Sequence, residues 1–235
     1  MLKLWKRLPI SLRSYLHVIL HRFNTSKHIT SFLLFRHLLT ARKLKLSETP
    51  VQLRIGESRK FEGWISTNYQ ILTRQFMDAT KSYGINVCEF IFADNVIEHL
   101  EYSNGERLIE QAFKALIPGG VLRLTTPDLE TIAERYLTRS QRDLAQFAED
   151  LREHNVNVFS GPDLLRITFT SFGHHKGFIY DFQTLGDLLS SKGFCDVVKQ
   201  VPGESGNPKL RGLETRTKPS DMWSQMAVEA TKPIK

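Results

Sequence analysis

Three histidines and their neighbours are the residues best suited to do chemistry. His99 follows Glu98 at the expected start of a helix, where the carboxylate could orient the imidazole, while His174 and His175 stand beside Lys176 in a loop. An unperturbed imidazole titrates near pH ~6.5 and can take a proton from a hydroxyl, which is a poor nucleophile by itself near neutral pH. His99 and His175 are candidate general bases, and His174 is a candidate for the substrate side. His99 could equally be a packing and helix-start residue. A second group, Glu204, Arg211 and Glu214, lies in a Gly- and Pro-containing stretch that an apolar core would explain poorly. An arginine between two acids can clamp an acidic or hydroxyl-rich ligand, or it can form an ion pair that orders the loop. Tyr180 reads as core or pocket wall, and Asp181 as the cap of a helix covering Leu185 to Leu189.

These residues need elements to position them, and the surrounding pattern supplies a βα-repeat. Pro118-Gly119-Gly120, then Val121 to Thr126, then Pro127-Asp128 read as a helix stop, a strand and a strand stop. Helical spacing precedes the phrase (Leu108, Ile109, Ala112, Phe113, Leu116) and follows it (Leu129, Ile132, Ala133, Tyr136). Phe90 to Ala93 is a continuous apolar run of the kind buried on both faces of a sheet. Val51 to Ile55 alternates and ends at Gly56, where glycine permits a sharp turn. Ser103 to Glu106 has capping-box spacing. The fold expected is α/β, mostly parallel, with helices on both faces, and such sheets bind ligands at the carboxyl ends of their strands.

At 235 residues the chain accommodates one such domain with an appendage. Its net charge of +7 is uneven, because residues 1–47 hold ten Lys and Arg and no Asp or Glu, leaving the remainder net negative. Two cysteines, Cys88 and Cys195, give neither a disulfide framework nor a zinc spacing, so no metal site and a reducing compartment are expected. No apolar stretch approaches the ~20 residues that span a bilayer, and no signal-peptide core is present. Leu12, Tyr15, Leu16, Ile19, Leu20 and Phe23 form a helical stripe, and Phe32 to Leu39 offer a second apolar face. With Trp5 among Lys3, Lys6 and Arg7, residues 1–47 could lie on an anionic membrane surface. They could instead pack on the domain or serve as a mitochondrial presequence. Nucleic acid is not expected, since the basic residues accompany large aliphatics without a nucleic-acid motif.

The ordered motifs carry a resemblance. Leu53-Arg-Ile-Gly56, Gly63-Trp64-Ile65-Ser-Thr-Asn68, Asp78-Ala-Thr80, Glu98-His99-Leu100, Pro118-Gly-Gly120, Thr126-Pro-Asp-Leu129 and Phe178-Ile-Tyr-Asp181 follow one another. Gly203-Glu-Ser205, Leu210 to Glu214 and Ala227 to Ala230 complete the series. The chain resembles the class I S-adenosylmethionine-dependent methyltransferases, of the methyltransferase type 11-like kind, and a bacterial subfamily associated with cell-surface polysaccharide biosynthesis. The resemblance spans about residues 50–232, so residues 1–47 form the basic helical segment and 48–235 the methyltransferase-like domain. It implies a Rossmann-like seven-stranded sheet with an antiparallel last strand, and S-adenosylmethionine as cofactor. Cofactor contacts are expected at Gly56, Glu57, Ser58, Asn68, Asp78, Ala79 and Asp94. Substrate contacts are expected at His174, Tyr180, Glu204, Arg211 and Glu214. The implied reaction is methyl transfer to a hydroxylated acceptor, a glycan or its precursor, in the cytoplasm or at the inner face of the membrane. Ser58 stands where the pattern has a second glycine, Asn68 where it has the ribose acid, and Asp94 where it has another polar residue. Those departures support an alternative, a catalytically inactive methyltransferase-like binding or scaffold module; a peripheral membrane protein acting through its basic helices is the remaining reading.

Overall fold

A computed structural model describes residues 27–47, 50–138, 141–152, 156–214 and 224–234. Helix α1 (Lys27–Lys45) leads into β1 (Val51–Ile55), β2 (Trp64–Thr67) and β3 (Cys88–Asp94), and a 3₁₀ turn covers Ile97–His99. Next come α2 (Tyr102–Ala115), β4 (Leu116–Pro127), α3 (Leu129–Thr138), α4 (Gln141–Arg152) and α5 (Asp163–Thr170). A 3₁₀ turn at His174–Lys176, α6 (Phe182–Ser191), β5 (Cys195–Gln200), a 3₁₀ turn at Pro208–Leu210 and β6 (Gln225–Thr231) complete the order.

The sheet has the order β2-β1-β3-β4-β6-β5. Its first four strands are parallel, and β6 runs antiparallel to both β4 and β5. The antiparallel last strand is therefore present, but the described sheet has six strands rather than seven. Beside β2, where a further edge strand is expected before Asp78, only an isolated parallel bridge joins Asn68 to Phe76. Two backbone bonds, Asn68 N–H to Gln75 carbonyl and Met77 N–H to Asn68 carbonyl, hold that remnant in place. The Pro-Gly-Gly phrase also differs from expectation. It lies inside β4, where pairing with β3 slips between Cys88 and Phe90, and Gly119 takes a φ of 80°.

Alternation within the strands separates two faces. Leu53, Ile91, Ala93, Leu122, Leu124, Val228 and Ala230 form the main core with Ala41 and Leu44 of α1, Leu108, Ile109 and Ala112 of α2, and Leu185, Leu188 and Leu189 of α6. Phe90 and Phe92, whose side chains point the other way, pack with Leu210, Leu213, Trp64 and Val121. Helices on both faces were expected, but among the described residues this second face is closed by loop rather than helix. The reason begins between β1 and β2, where residues 56–63 make the parallel crossover without a helix. That is shorter than the dozen or so residues such a connection normally takes. Positive φ at Gly56 (89°) and Gly63 (74°) makes the short path feasible.

The uncovered face carries buried arginines. Arg54 lies 3.6 Å from the Phe61 ring centroid and donates to the Leu213 carbonyl at 3.0 Å. Burial pulls its guanidinium below the ordinary value, against opposition led by Asp94. Arg123 is fully buried between Glu214, which accepts from Nε at 2.8 Å, and Glu229. Glu214 also accepts from the Gly203 amide at 3.0 Å, so the ion pair fastens the covering loop to the sheet.

One local expectation is corrected and one is met. The capping box at Ser103 and Glu106 does not form, because α2 starts at Tyr102 behind Glu101. Glu106 pairs with Lys192 at 3.1 Å instead. Asp181 caps α6 as expected, accepting from the Thr184 amide at 2.7 Å. The stripe from Leu12 to Phe23, and Trp5, lie outside the described residues. Helix α1 docks on the domain through Leu33, His37, Thr40, Ala41 and Leu44. His37 bridges to the Ser82 carbonyl at 2.9 Å and the Asp78 amide at 3.3 Å. Its other side leaves Phe35 57% and Leu38 55% exposed. Among the described residues, no helix is long and apolar enough to cross a membrane.

Candidate functional site

Strand order reverses at β1, since the chain moves from β1 to β2 on one side and returns to β3 on the other. The crevice outside the carboxyl ends of β1 and β3 is where such sheets take ligands. Gly56 ends β1 there, and a Cβ at its position would lie 2.4 Å from Val96 Cγ2. Asp94 is half-buried at the end of β3. The turns after both strands are thus packed against each other.

Within the first turn, Glu57 bends back on the residues that follow it. One carboxylate oxygen accepts from the Ser58 and Arg59 amides, each at 2.8 Å, and the other accepts from Arg59 Nε at 3.0 Å and a terminal guanidinium nitrogen at 2.8 Å. Burial alone would raise the Glu57 pKa, but the Arg59 side chain and the two amides more than offset it, leaving it below the ordinary value. Consecutive amides that converge on one carboxylate make an anion-binding nest.

The other expected cofactor contacts also have internal partners. Asn68 donates to the Gly56 carbonyl at 2.8 Å and accepts from the Gln70 amide at 3.0 Å, so it ties the ends of β1 and β2 together. Asp78 accepts from the Thr80 amide at 3.1 Å, the Thr80 hydroxyl at 2.6 Å and Lys81 Nζ at 2.6 Å. Burial would raise its pKa, and the Lys81 and Thr80 contacts bring it below the ordinary value. Asp78 is therefore a turn cap in this structure. Ala79 is buried, and Ser58 is exposed.

These residues fit S-adenosylmethionine at the level of chemical groups. The Ser58 and Arg59 nest already holds a carboxylate, the group carried by the amino-acid end of that cofactor, while Asn68 and Asp78 keep oxygen acceptors along the same edge. Glu57 has to leave for a ligand carboxylate to take its place. Its partner Arg59 is largely solvated, so solvent screens that ion pair, and the two amide bonds would pass to the incoming carboxylate.

On the acceptor side the structure gathers residues that the sequence leaves apart. The rings of His99 and His174 lie 4.9 Å apart between centroids. Glu98, fully buried, accepts from Asn95 Nδ2 at 2.7 Å and from the Thr126 hydroxyl at 3.4 Å. Asn95 also donates to Gln225 Oε1 at 2.9 Å, linking this carboxylate to the start of β6. His174 is held through Nδ1 to the Thr168 carbonyl at 2.7 Å. Two glycines bring the segments together. Gly173 has a φ of 95°, and a Cβ on Gly177 would lie 1.7 Å from the Glu98 carbonyl oxygen. His175 is exposed on the same short turn and is outside the group formed by Glu98, His99 and His174.

The remaining substrate candidates go elsewhere. Tyr180 is a core residue, fully buried, with its ring 4.8 Å from that of Phe178 and its hydroxyl where a Cβ on Gly105 would sit. Burial raises its pKa. Glu214 belongs to the ion pair with Arg123, and Arg211 donates to the Ser205 carbonyl at 2.7 Å, so the expected Arg211 clamp between Glu204 and Glu214 is not assembled. Glu204 is exposed. The sequence reading missed Asn95, Thr126, Thr168 and Gln225, which are not ionisable and act only by proximity in the fold. Asn95 takes a φ of 51°, in a residue type that tolerates the left-handed region.

No protein-family model matches the sequence, and no curated protein matches it. Solved structures similar to the chain include S-adenosylmethionine-dependent methyltransferases. One from Archaeoglobus fulgidus is 15% identical with a TM-score of 0.47, over 84% of this chain and 94% of that one. A possible histamine N-methyltransferase from Thermotoga maritima is 15% identical with a TM-score of 0.45, over 92% and 98%. The Haemonchus contortus phosphoethanolamine N-methyltransferase 2, solved with phosphomonomethylethanolamine and S-adenosylhomocysteine, is 12% identical with a TM-score of 0.42. That match covers 85% of this chain and 53% of the larger protein. The likeness concerns the arrangement of helices and strands.

Proposed function

We propose that the chain transfers a methyl group from S-adenosylmethionine to a hydroxyl of a glycan or glycan precursor. The observation that supports this reading is the adjacency of two turns at the reversal of strand order. The Gly56 turn carries an amide nest that holds a carboxylate, and the β3 turn packed against it leads directly to Glu98 and His99. When bound, the cofactor supplies a methyl group on a positively charged sulfur. The chain's own residues then bind and orient: the Ser58 and Arg59 amides receive the carboxylate, and Asn68 and Asp78 offer acceptors to hydroxyl and amino groups. Exposed His99 is placed to take the hydroxyl proton, with His174 beside it. An in-line displacement needs mainly this positioning.

The setting proposed is the cytoplasmic face of an anionic membrane. Helix α1 contains no acidic residue, exposes Phe35 and Leu38, and borders a concavity of about 240 Å³ lined in part by Arg36, Lys43 and Arg74. Apolar burial and attraction to anionic headgroups would act together there. Flotation of the full chain with anionic vesicles, lost in Phe35→Asp with Leu38→Asp, is the expected result; equal flotation of that variant contradicts the setting.

A second reading is a binding module that no longer methylates. It is favoured by Glu57, which fills the nest with the chain's own carboxylate. Calorimetric titration with S-adenosylhomocysteine separates the two. Saturable binding that is lost in Ser58→Trp, with methyl release to a glycan acceptor, supports methyl transfer, whereas binding without turnover, or folded protein giving no heat at millimolar ligand, leaves the module.

A further inference from the structure

We propose that Glu98, His99 and His174 form a site for a divalent metal ion of the zinc class, open on one side to a hydroxylated ligand. One ligand atom from each residue can be chosen so that all lie within 4.8 Å of one another. A tetrahedral zinc site with bonds of about 2.0–2.1 Å brings its ligand atoms to roughly 3.4 Å, so a small rotation of exposed His99 closes the set. The ligand types are two imidazoles and a carboxylate, which suit zinc and other borderline divalent metals.

The surroundings are those of ligands already oriented. A carbonyl oxygen can only accept, so the 2.7 Å contact to Thr168 places a proton on His174 Nδ1 and leaves Nε2 as the coordinating atom in the neutral ring. Metal-binding histidines characteristically give their second nitrogen to such an acceptor. Glu98 is a fully buried carboxylate with the neutral Asn95 amide and Thr126 hydroxyl among its donors. Asn95 is itself fixed by Gln225, so the carboxylate is held from two strands.

The backbone is shaped for the same purpose. Gly177 sits where any Cβ would overlap the Glu98 carbonyl, and a Cβ on Gly173 would lie 3.4 Å from His99 Nδ1. Gly177 leaves no room for a side chain and Gly173 takes a left-handed φ of 95°, so glycine at both places lets the 173–177 turn close over Glu98 and His99. Three protein ligands with one solvent-facing side match the pattern of zinc sites that keep a position for water or substrate. Metal binding stands independently of methyl transfer; that the open position takes an acceptor hydroxyl rests on the proposed function, and His99 is a base only in the metal-free chain, because a coordinated neutral imidazole has no lone pair left for a proton.

The test is titration of metal-free, full-length protein with zinc chloride by calorimetry, with cobalt absorption as a second readout. One zinc per chain is expected, with binding at least about tenfold weaker in His99→Ala and in His174→Ala, and unchanged in His175→Ala. A tetrahedral-type cobalt spectrum that vanishes in the first two variants supports the same site. Absence of saturable binding overturns the proposal, and so does binding that survives both variants. His99→Ala removes an exposed side chain, so it remains informative if His174→Ala unfolds. S-adenosylhomocysteine binding without zinc would leave the methyltransferase reading standing while this site fails.

Discussion

At the scale of single residues, Glu57 decides how the cofactor edge behaves. Its carboxylate satisfies two amides that a ligand would otherwise use. Glu57→Ala should therefore tighten S-adenosylhomocysteine binding by about two- to fivefold, the fold-change that corresponds to ~0.5–1 kcal/mol. Calorimetry on both proteins measures it, and equal affinities would remove Glu57 from the competition. His99→Ala should lower turnover by about a hundredfold or more with cofactor affinity unchanged, as loss of a general base requires. A parallel fall in melting temperature without a specific loss of turnover would mark a packing residue. The types of these residues were legible in the sequence, but their partners were not. His99 and His175 were read as candidate bases and His174 as a substrate-side residue, but the ring beside His99 is that of His174, brought in by a turn far along the chain.

At the scale of elements, the clearest local rule was the cap of α6. Asp181 has its carboxyl held below the ordinary value, first by the Thr184 amide. A carboxyl lowered in the folded state stabilises fully above the unfolded pKa of about 3.9 and loses that contribution as the pH falls through its folded value. Asp181→Ala should cost about 1 kcal/mol at neutral pH and much less under strongly acid conditions. Chemical denaturation at the two pH values checks the sign; an equal cost at both would refute the cap's charge dependence. The strands at Val51 to Ile55 and Phe90 to Ala93 were readable because period and burial agree. The edge remnant at Asn68 and Phe76 was not, since family expectation put a strand where the backbone makes one bridge. The capping-box spacing at Ser103 misled for a similar reason, as Tyr102 already continues the helix.

At the scale of the whole molecule, the helix-free crossover between β1 and β2 leaves one face of the sheet to be covered by loop. The exposed face is closed by the 201–214 loop, and the buried contacts of Arg123 with Glu214 and Glu229 fasten it. Glu214→Gln removes one charge from a buried pair and should destabilise the protein by about 3–5 kcal/mol. A loss below about 1 kcal/mol in chemical denaturation would show that the loop is held by its apolar contacts alone. The sequence presented Glu204, Arg211 and Glu214 as a clamp because acids and an arginine are close in number. Arg123, the partner of Glu214, sits inside an apolar strand where periodicity gives a charge no partner.

The fold was thus largely readable, whereas the use of each polar residue depended on distant contacts. The central claim is that the Gly56 turn remains a cofactor site whose nest is covered by Glu57. Titration of the full chain and of Glu57→Ala with S-adenosylhomocysteine addresses it most directly. Saturable one-site binding by both, tighter in the variant, is the expected result; folded proteins that give no binding heat at millimolar ligand would contradict it.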